Sequence, residues 1–151
     1  MIQIREYRAS YMPLITSLIY KTVHAISNKF YSEEEKNAWM PEAFLEKEIP
    51  LKYTLVCFEG EELVGFVDFD EKNGFINYLY TSPEHQRKGI ASMLYAKIEE
   101  RMRMLGLYRI SARASKAAVA FFEKKGLDIR WENEIMRQGI VLTNYTMSKN
   151  L

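Results

Sequence analysis

The chain is expected to fold as one α/β domain: a single mixed, mostly antiparallel sheet of about six or seven strands flanked by helices. Three observations carry this. Residues 53–81 hold three strand-like runs joined by two tight glycine turns, a meander. Amphipathic helical repeats precede that meander at 14–26 and follow it at 90–105. Strand and helix then alternate again to the end, with no repeat, linker or low-complexity stretch to divide 1–151.

The elements follow in order. Ile2 to Tyr7 alternates apolar and polar residues as a short strand does. Ser10 is placed to cap a helix in which Leu14, Ile15, Leu18, Ile19, Thr22, Val23 and Ile26 recur every three or four residues. Ser32 before Glu33-Glu34-Glu35 signals a second helix to about Met40, and Pro41 opens a short third piece. Tyr53 to Phe58 is apolar on both faces, as a central strand must be. Leu63 to Phe69 and Phe75 to Thr81 follow across turns at Glu59-Gly60-Glu61 and Glu71-Lys72-Asn73-Gly74. Ile90, Leu94, Ile98, Met102 and Leu105 form one helical stripe that ends at Gly106. Arg109 to Arg113 reads as a strand, Ser115 to Lys125 as a helix, and Leu127–Glu134 and Gly139–Met147 as two last strands.

Composition narrows the class. Apolar residues are 48% and charged residues 27% of the chain, which is globular rather than disordered. The net charge is +1 with signs interspersed, so nothing calls for a nucleic acid or a membrane surface as partner. Cys57, the single cysteine, sits in an apolar run and reads as a small buried hydrophobe. With no intramolecular disulfide available, no signal peptide visible and no apolar run near a membrane span, a cytoplasmic protein is expected. Two histidines and one cysteine offer no ligand spacing for a metal.

Gln86-Arg87-Lys88-Gly89-Ile90-Ala91 is the segment richest in chemistry. A glycine turn between a strand and a helix presents free backbone N–H groups at the positive end of a helix dipole. That is a phosphate cradle, and Arg87 and Lys88 add charge at its mouth. The turn lacks the Gly-Lys-Ser/Thr of a P-loop and the triple glycine of a dinucleotide fingerprint.

With its surroundings the turn becomes more specific. Asn77 to Ala91 resembles the acyl-CoA signature of the GCN5-related N-acetyltransferases, Q/R-x-x-G-x-G/A after a strand that ends near a proline. Ala118 to Leu127 is similar to that family's A-x-x-F-Y-E-K-x-G-F helix, in the same order and at the same spacing. The element order matches the family from Ile2 to Met147. Tyr31-Ser32, Ala38-Trp39, Phe121–Lys124 and Gly139–Met147 further resemble the bacterial YafP-like subgroup.

The resemblance implies an acetyl-CoA-dependent N-acetyltransferase with the acyl-CoA N-acyltransferase fold and acetyl-CoA as co-substrate. The acceptor would be a small-molecule or peptide primary amine, attacked directly in a ternary complex, and the family allows a homodimer. A buried Cys57 suits direct attack better than a covalent intermediate. Gln86, Arg87, Lys88, Gly89, Ile90, Ala91 and Ser92 would hold the pyrophosphate. Leu79, Tyr80 and Thr81 would bind the pantetheine arm as an added strand, with the Tyr80 N–H polarising the thioester carbonyl. Ser115 stands where the family often has an asparagine that contacts pantetheine; a serine opening a helix is also a plain N-cap.

Two positions depart from the family. Phe122, on the cofactor side, replaces the tyrosine that commonly protonates the leaving thiolate, and it has no proton to give. Tyr145 is a substitute candidate, or else a sheet aromatic. Asn77 replaces a glutamate and cannot accept a proton. Asp68, among apolar neighbours, is a candidate base acting through a water, or else an outward-facing charge. Acceptor specificity in the family comes from the first two helices, where Tyr20, His24, Tyr31 and Trp39 form an aromatic wall for an apolar or cationic amine, or complete the core. His24 is the residue there able to double as a base. Loss of both usual proton-transfer groups also admits a non-catalytic acyl-CoA-binding or sensing domain.

Overall fold

The computed structural model describes residues 1–151. Seven strands form one sheet in the order β1-β2-β3-β4-β5-β7-β6. They are β1 (Ile2–Glu6), β2 (Tyr53–Glu59), β3 (Glu62–Asp70), β4 (Phe75–Thr81), β5 (Arg109–Ser115), β6 (Asp128–Arg137) and β7 (Ile140–Asn150). Every neighbouring pair is antiparallel except β4 and β5, which run parallel. The expected mixed, mostly antiparallel architecture is thus observed. No helix is long and apolar enough to cross a membrane.

Helices cover both faces. On one face α1 (Met12–His24) and α2 (Glu33–Trp39) pack Ile15, Leu18, Ile19 and Val23 against Val56, Phe58, Leu63 and Phe66. On the other, α3 (Ile90–Met104) and α4 (Val119–Lys124) bring Ile90, Leu94, Ile98, Met102 and Phe122 onto Val64, Val67, Phe69 and Ile110. Leu63 through Phe69 are buried without a break, because a strand at the centre of a two-sided sheet meets helices above and below.

Local chemistry sets the helix ends. Ser32 and Glu35 form a reciprocal capping box at the start of α2. α3 closes in a Schellman motif, Leu107 N–H to Met102 O at 3.0 Å and Gly106 N–H to Arg103 O at 3.1 Å. Three expectations are corrected. Ser10 lies inside a 3-10 turn (Ala9–Tyr11) and caps nothing; α1 starts on Met12-Pro13, where a proline leaves no N–H to satisfy. Ser115 ends β5 rather than opening a helix, and Ala118 is the α4 N-cap. The last two strands run further, to Arg137 and Asn150, because Gln138 and Gly139, both at positive φ, close them as a tight two-residue hairpin turn.

Gly74 pins the junction of β4 and β5. Its N–H bonds Asp70 O at 2.9 Å and its C=O accepts from Ser111 N at 3.0 Å, with φ at +71°. A Cβ there would collide with the Arg109 carbonyl oxygen. Gly74→Ala should therefore cost at least about 2 kcal/mol of stability, measured by chemical denaturation; a loss within about 0.5 kcal/mol would show that the junction tolerates displacement.

Candidate active site where two strands part

β4 and β5 pair only at Phe75–Ser111 and Ile76–Ala112, and then separate. The register between β3 and β4 shifts by one residue at Asp68/Phe69, which leaves Asn77 as the extra residue of a bulge on β4. Beyond the bulge, Ser82 N donates to Val64 O at 2.8 Å. The Phe66–Tyr80 pair lies two residues along the same antiparallel ladder, so the Tyr80 N–H and C=O also face β3. Those of Leu79 and Thr81 face the gap. This corrects the role expected of Tyr80: its N–H belongs to the ladder, and Leu79 presents the gap-facing N–H. The Tyr80 ring stacks on Phe66, and burial pushes its phenol well above the usual tyrosine range.

The gap opens into a cavity of about 800 Å³. Gln86 and Ala91 line it from the glycine turn and the start of α3, and Ser115, Ala118, Phe121 and Phe122 from the end of β5 and from α4 with its N-cap. Arg87 and Gly89 both adopt positive φ, +65° and +74°, and the first α3 bond runs from Met93 N to Gly89 O. The N–H groups from Arg87 to Ser92 consequently have no acceptor within the protein. The Gln86 side chain donates to Thr81 Oγ1 (3.3 Å) and Ser82 O (3.2 Å), fixing the turn to the end of β4. Nothing lies within 4 Å of a Cβ at Gly89, so that face of the turn is open.

The opposite wall carries Thr22, Ile26, Tyr31 and Trp39. Tyr31 donates to Thr143 O at 2.6 Å and accepts from Lys116 N at 2.9 Å, which ties the α1–α2 loop to both β7 and the end of β5. Its burial holds the phenol above its ordinary range. Trp39 meets the Tyr31 ring edge to face at 5.4 Å. Thr22 Oγ1 donates to Thr81 O at 3.0 Å and so occupies one gap-facing carbonyl. Of the expected aromatic wall, Tyr31 and Trp39 reach the cavity. Tyr20 and His24 do not: they pack on each other at 4.4 Å, with His24 Nε2 2.8 Å from Met40 O.

The proton-transfer candidates are displaced as well. Asp68 is fully buried and stands off the cavity wall. Its Oδ1 accepts from Lys52 N (2.8 Å) and Thr54 Oγ1 (2.6 Å), and its Oδ2 from Asn77 Nδ2 (2.9 Å). Asp68 therefore anchors the bulge, while Asn77 is the residue of that pair on the wall. Tyr145 packs against the core beneath α3 and α4 and does not line the cavity, so it fits the sheet-aromatic role. Cys57 is buried in the same core, where desolvation pushes its thiol up.

Several wall residues were not singled out by any local signal in the sequence: Lys52, Arg113, Arg137 and Asn144. Asn144 Oδ1 accepts from Asn133 at 3.1 Å across the β6–β7 hairpin. Each of these reaches the cavity through pairing or packing with residues far away in the chain.

Comparison with known proteins agrees with this geometry. The family model of the acetyltransferase (GNAT) domain matches residues 27–149. The chain is 25% identical to the N-acetyltransferase YafP of Escherichia coli (strain K12) over 148 residues, covering 97% of this chain and 94% of that one. The crystal structure of a GCN5-related N-acetyltransferase from Rhodopseudomonas palustris superposes with a TM-score of 0.88 at 24% identity, covering 99% of this chain and 95% of that one. The PaiA N-acetyltransferase of Thermoplasma acidophilum, solved in complex with coenzyme A, gives 0.75 at 19% identity over 100% and 99%. With most of its length matched by that model, and with parted strands that open beside a basic glycine turn, the chain belongs to the GNAT family of N-acetyltransferases.

Proposed function

We propose that this protein transfers the acetyl group of acetyl-CoA to a primary amine by direct attack in a ternary complex. One observation carries the reading: the unpartnered N–H groups from Arg87 to Ser92 lie beside the gap-facing backbone of Leu79 and Thr81, along one cavity. A pyrophosphate fits the first set, aided by the Arg87 and Lys88 charges and the α3 dipole. An amide-bearing arm fits the second, as a strand added to β4. Acetyl-CoA supplies the acyl group as a thioester, whose carbonyl the Leu79 N–H is placed to polarise.

The chain's own groups then divide the work. Asn77, held by Asp68, orients a water at the vertex of the gap that relays the ammonium proton outward. Asp68 acts as a positioning residue rather than as the base. Phe122 keeps the sulfur side of the cavity apolar and gives no proton, so the thiolate leaves to solvent. Cys57, buried on the core side, leaves direct attack as the route. Ser115, at the end of β5, lines the same cavity and would contact the pantetheine arm.

Three measurements test this reading. A thiol-release assay with acetyl-CoA should show CoA release that depends on an added primary amine; CoA binding with no turnover across an amine panel would identify a binding domain instead. Gly89→Val places a β-branched residue at φ +74° and should weaken CoA binding about tenfold while the fold is retained, as judged by circular dichroism. Leu79→Pro deletes a gap-facing N–H without removing a bond to β3, and should lower kcat about a hundredfold with little change in CoA affinity. An undiminished kcat in a folded Leu79→Pro variant would remove Leu79 from the mechanism.

A further inference from the structure

We infer that the acceptor amine carries an oxyanion of its own, a carboxylate or a phosphate, beside an apolar body. This rests on the amine acceptor binding in the cavity described above. The charge of the wall carries it. The residues that line the cavity include three cationic ones, Lys52, Arg113 and Arg137, and no Asp or Glu. None of the three takes part in any ion pair of the protein. Asp68, bonded to the wall residue Asn77, is itself buried off the wall with both oxygens engaged by Lys52 N–H, Thr54 and Asn77. Glu132 and Glu134, on β6, do not reach the wall.

These cations do not belong to the pyrophosphate cradle. β4 runs from the vertex at Ile76 to Thr81, and the free N–H groups of Arg87 to Ser92 lie beyond that open end. Arg113 sits toward the other end, as the β5 residue directly after Ala112, the last position paired with β4. The Lys52 backbone belongs to that end as well, since its N–H and the Asn77 amide share the Asp68 carboxylate. Arg137 arrives from the tip of the β6–β7 hairpin, whose Thr143 carbonyl is bonded by Tyr31. Its Nη1 contacts only the adjacent Met136 carbonyl, at 3.3 Å.

Three cations of one cavity wall, none of them ion-paired, would repel a polycationic amine and attract an anionic one. A guanidinium takes a carboxylate or phosphate bidentately, which fixes the orientation of the whole molecule. The remaining wall, with Ile26, Trp39, Ile135 and Leu142, receives the apolar part. The acceptor class is therefore that of hydrophobic amino acids or amines bearing phosphate, rather than polyamines or aminoglycosides.

Calorimetric titration of the CoA-saturated protein tests this with four acetylated probes. N-acetylphenylalanine and N-acetyl-O-phosphoethanolamine carry a carboxylate and a phosphate, N-acetylphenylalaninamide is neutral, and N-acetylspermidine is cationic. At least one anionic probe should bind about tenfold tighter than the neutral amide, with N-acetylspermidine weakest. Which of the two leads identifies the oxyanion. Arg113→Gln should erase about tenfold of that advantage, leaving the neutral amide and CoA itself bound as before. Failure of both anionic probes to bind, or amide or spermidine binding as tight as theirs, overturns the inference. Equal weakening of CoA and the anionic probes by Arg113→Gln overturns it as well, since Arg113 would then serve the cofactor. A CoA titration of the unaltered protein stands apart: its failure would strike the acetyl-CoA reading, while the same probes titrated without CoA still measure the charge preference of the wall.

Discussion

The structure turns on the separation of β4 from β5 after only two paired positions. In the interior of a sheet, unpaired backbone groups cost about 1–3 kcal/mol each when dry, so a strand does not stay unpaired without reason. Here the cost is contained by local means. Thr22 bonds the Thr81 carbonyl, Tyr31 bridges from the α1–α2 loop to β7 and to the residue after β5, and the rest of the gap opens into a cavity. What remains is a strand edge with polar groups facing outward in the middle of the fold. An extended amide-bearing ligand can complete that edge.

A buried carboxylate sustains the arrangement. Asp68 lies on β3, an interior strand, with no solvent contact, where an unpaired charge would be strongly destabilising. Three donors converge on it: a backbone N–H from the approach to β2, a hydroxyl on β2 and the amide of the bulged Asn77 on β4. Those bonds hold the bulge in register, and the bulge shifts the parity of β4 so that Leu79, not Tyr80, faces the gap. A single inserted residue thus decides which N–H faces the gap.

This explains what the sequence could and could not tell. The cradle was legible because it is local: glycine, two basic residues and a helix start lie within six positions, and backbone geometry follows from them. The meander and both helix–sheet layers were legible from periodicity. The parity of β4 was not, since a bulge leaves no mark in the alternation of Phe75 to Thr81. Nor was the fate of His24, whose ring is claimed by the Met40 carbonyl sixteen residues on, or of Tyr145, whose face of β7 depends on pairing with Ala114 and Glu132. Lys52, Arg113 and Arg137 looked like three ordinary surface charges. Only pairing between distant strands brings them to one cavity.

The same three charges bear on the missing proton-transfer groups. A GNAT site with glutamate at the Asn77 position would remove the ammonium proton by a fixed base. On the direct-transfer reading proposed above, the amine would lose that proton beside a cationic wall, and any positive charge the acceptor's oxyanion leaves unneutralised would disfavour the ammonium form. On the sulfur side, the same reading has a CoA thiolate leave without the hydroxyl that Phe122 lacks. On that reading, the charge of the wall bears on both positions at which the proton-transfer groups are missing, Asn77 and Phe122.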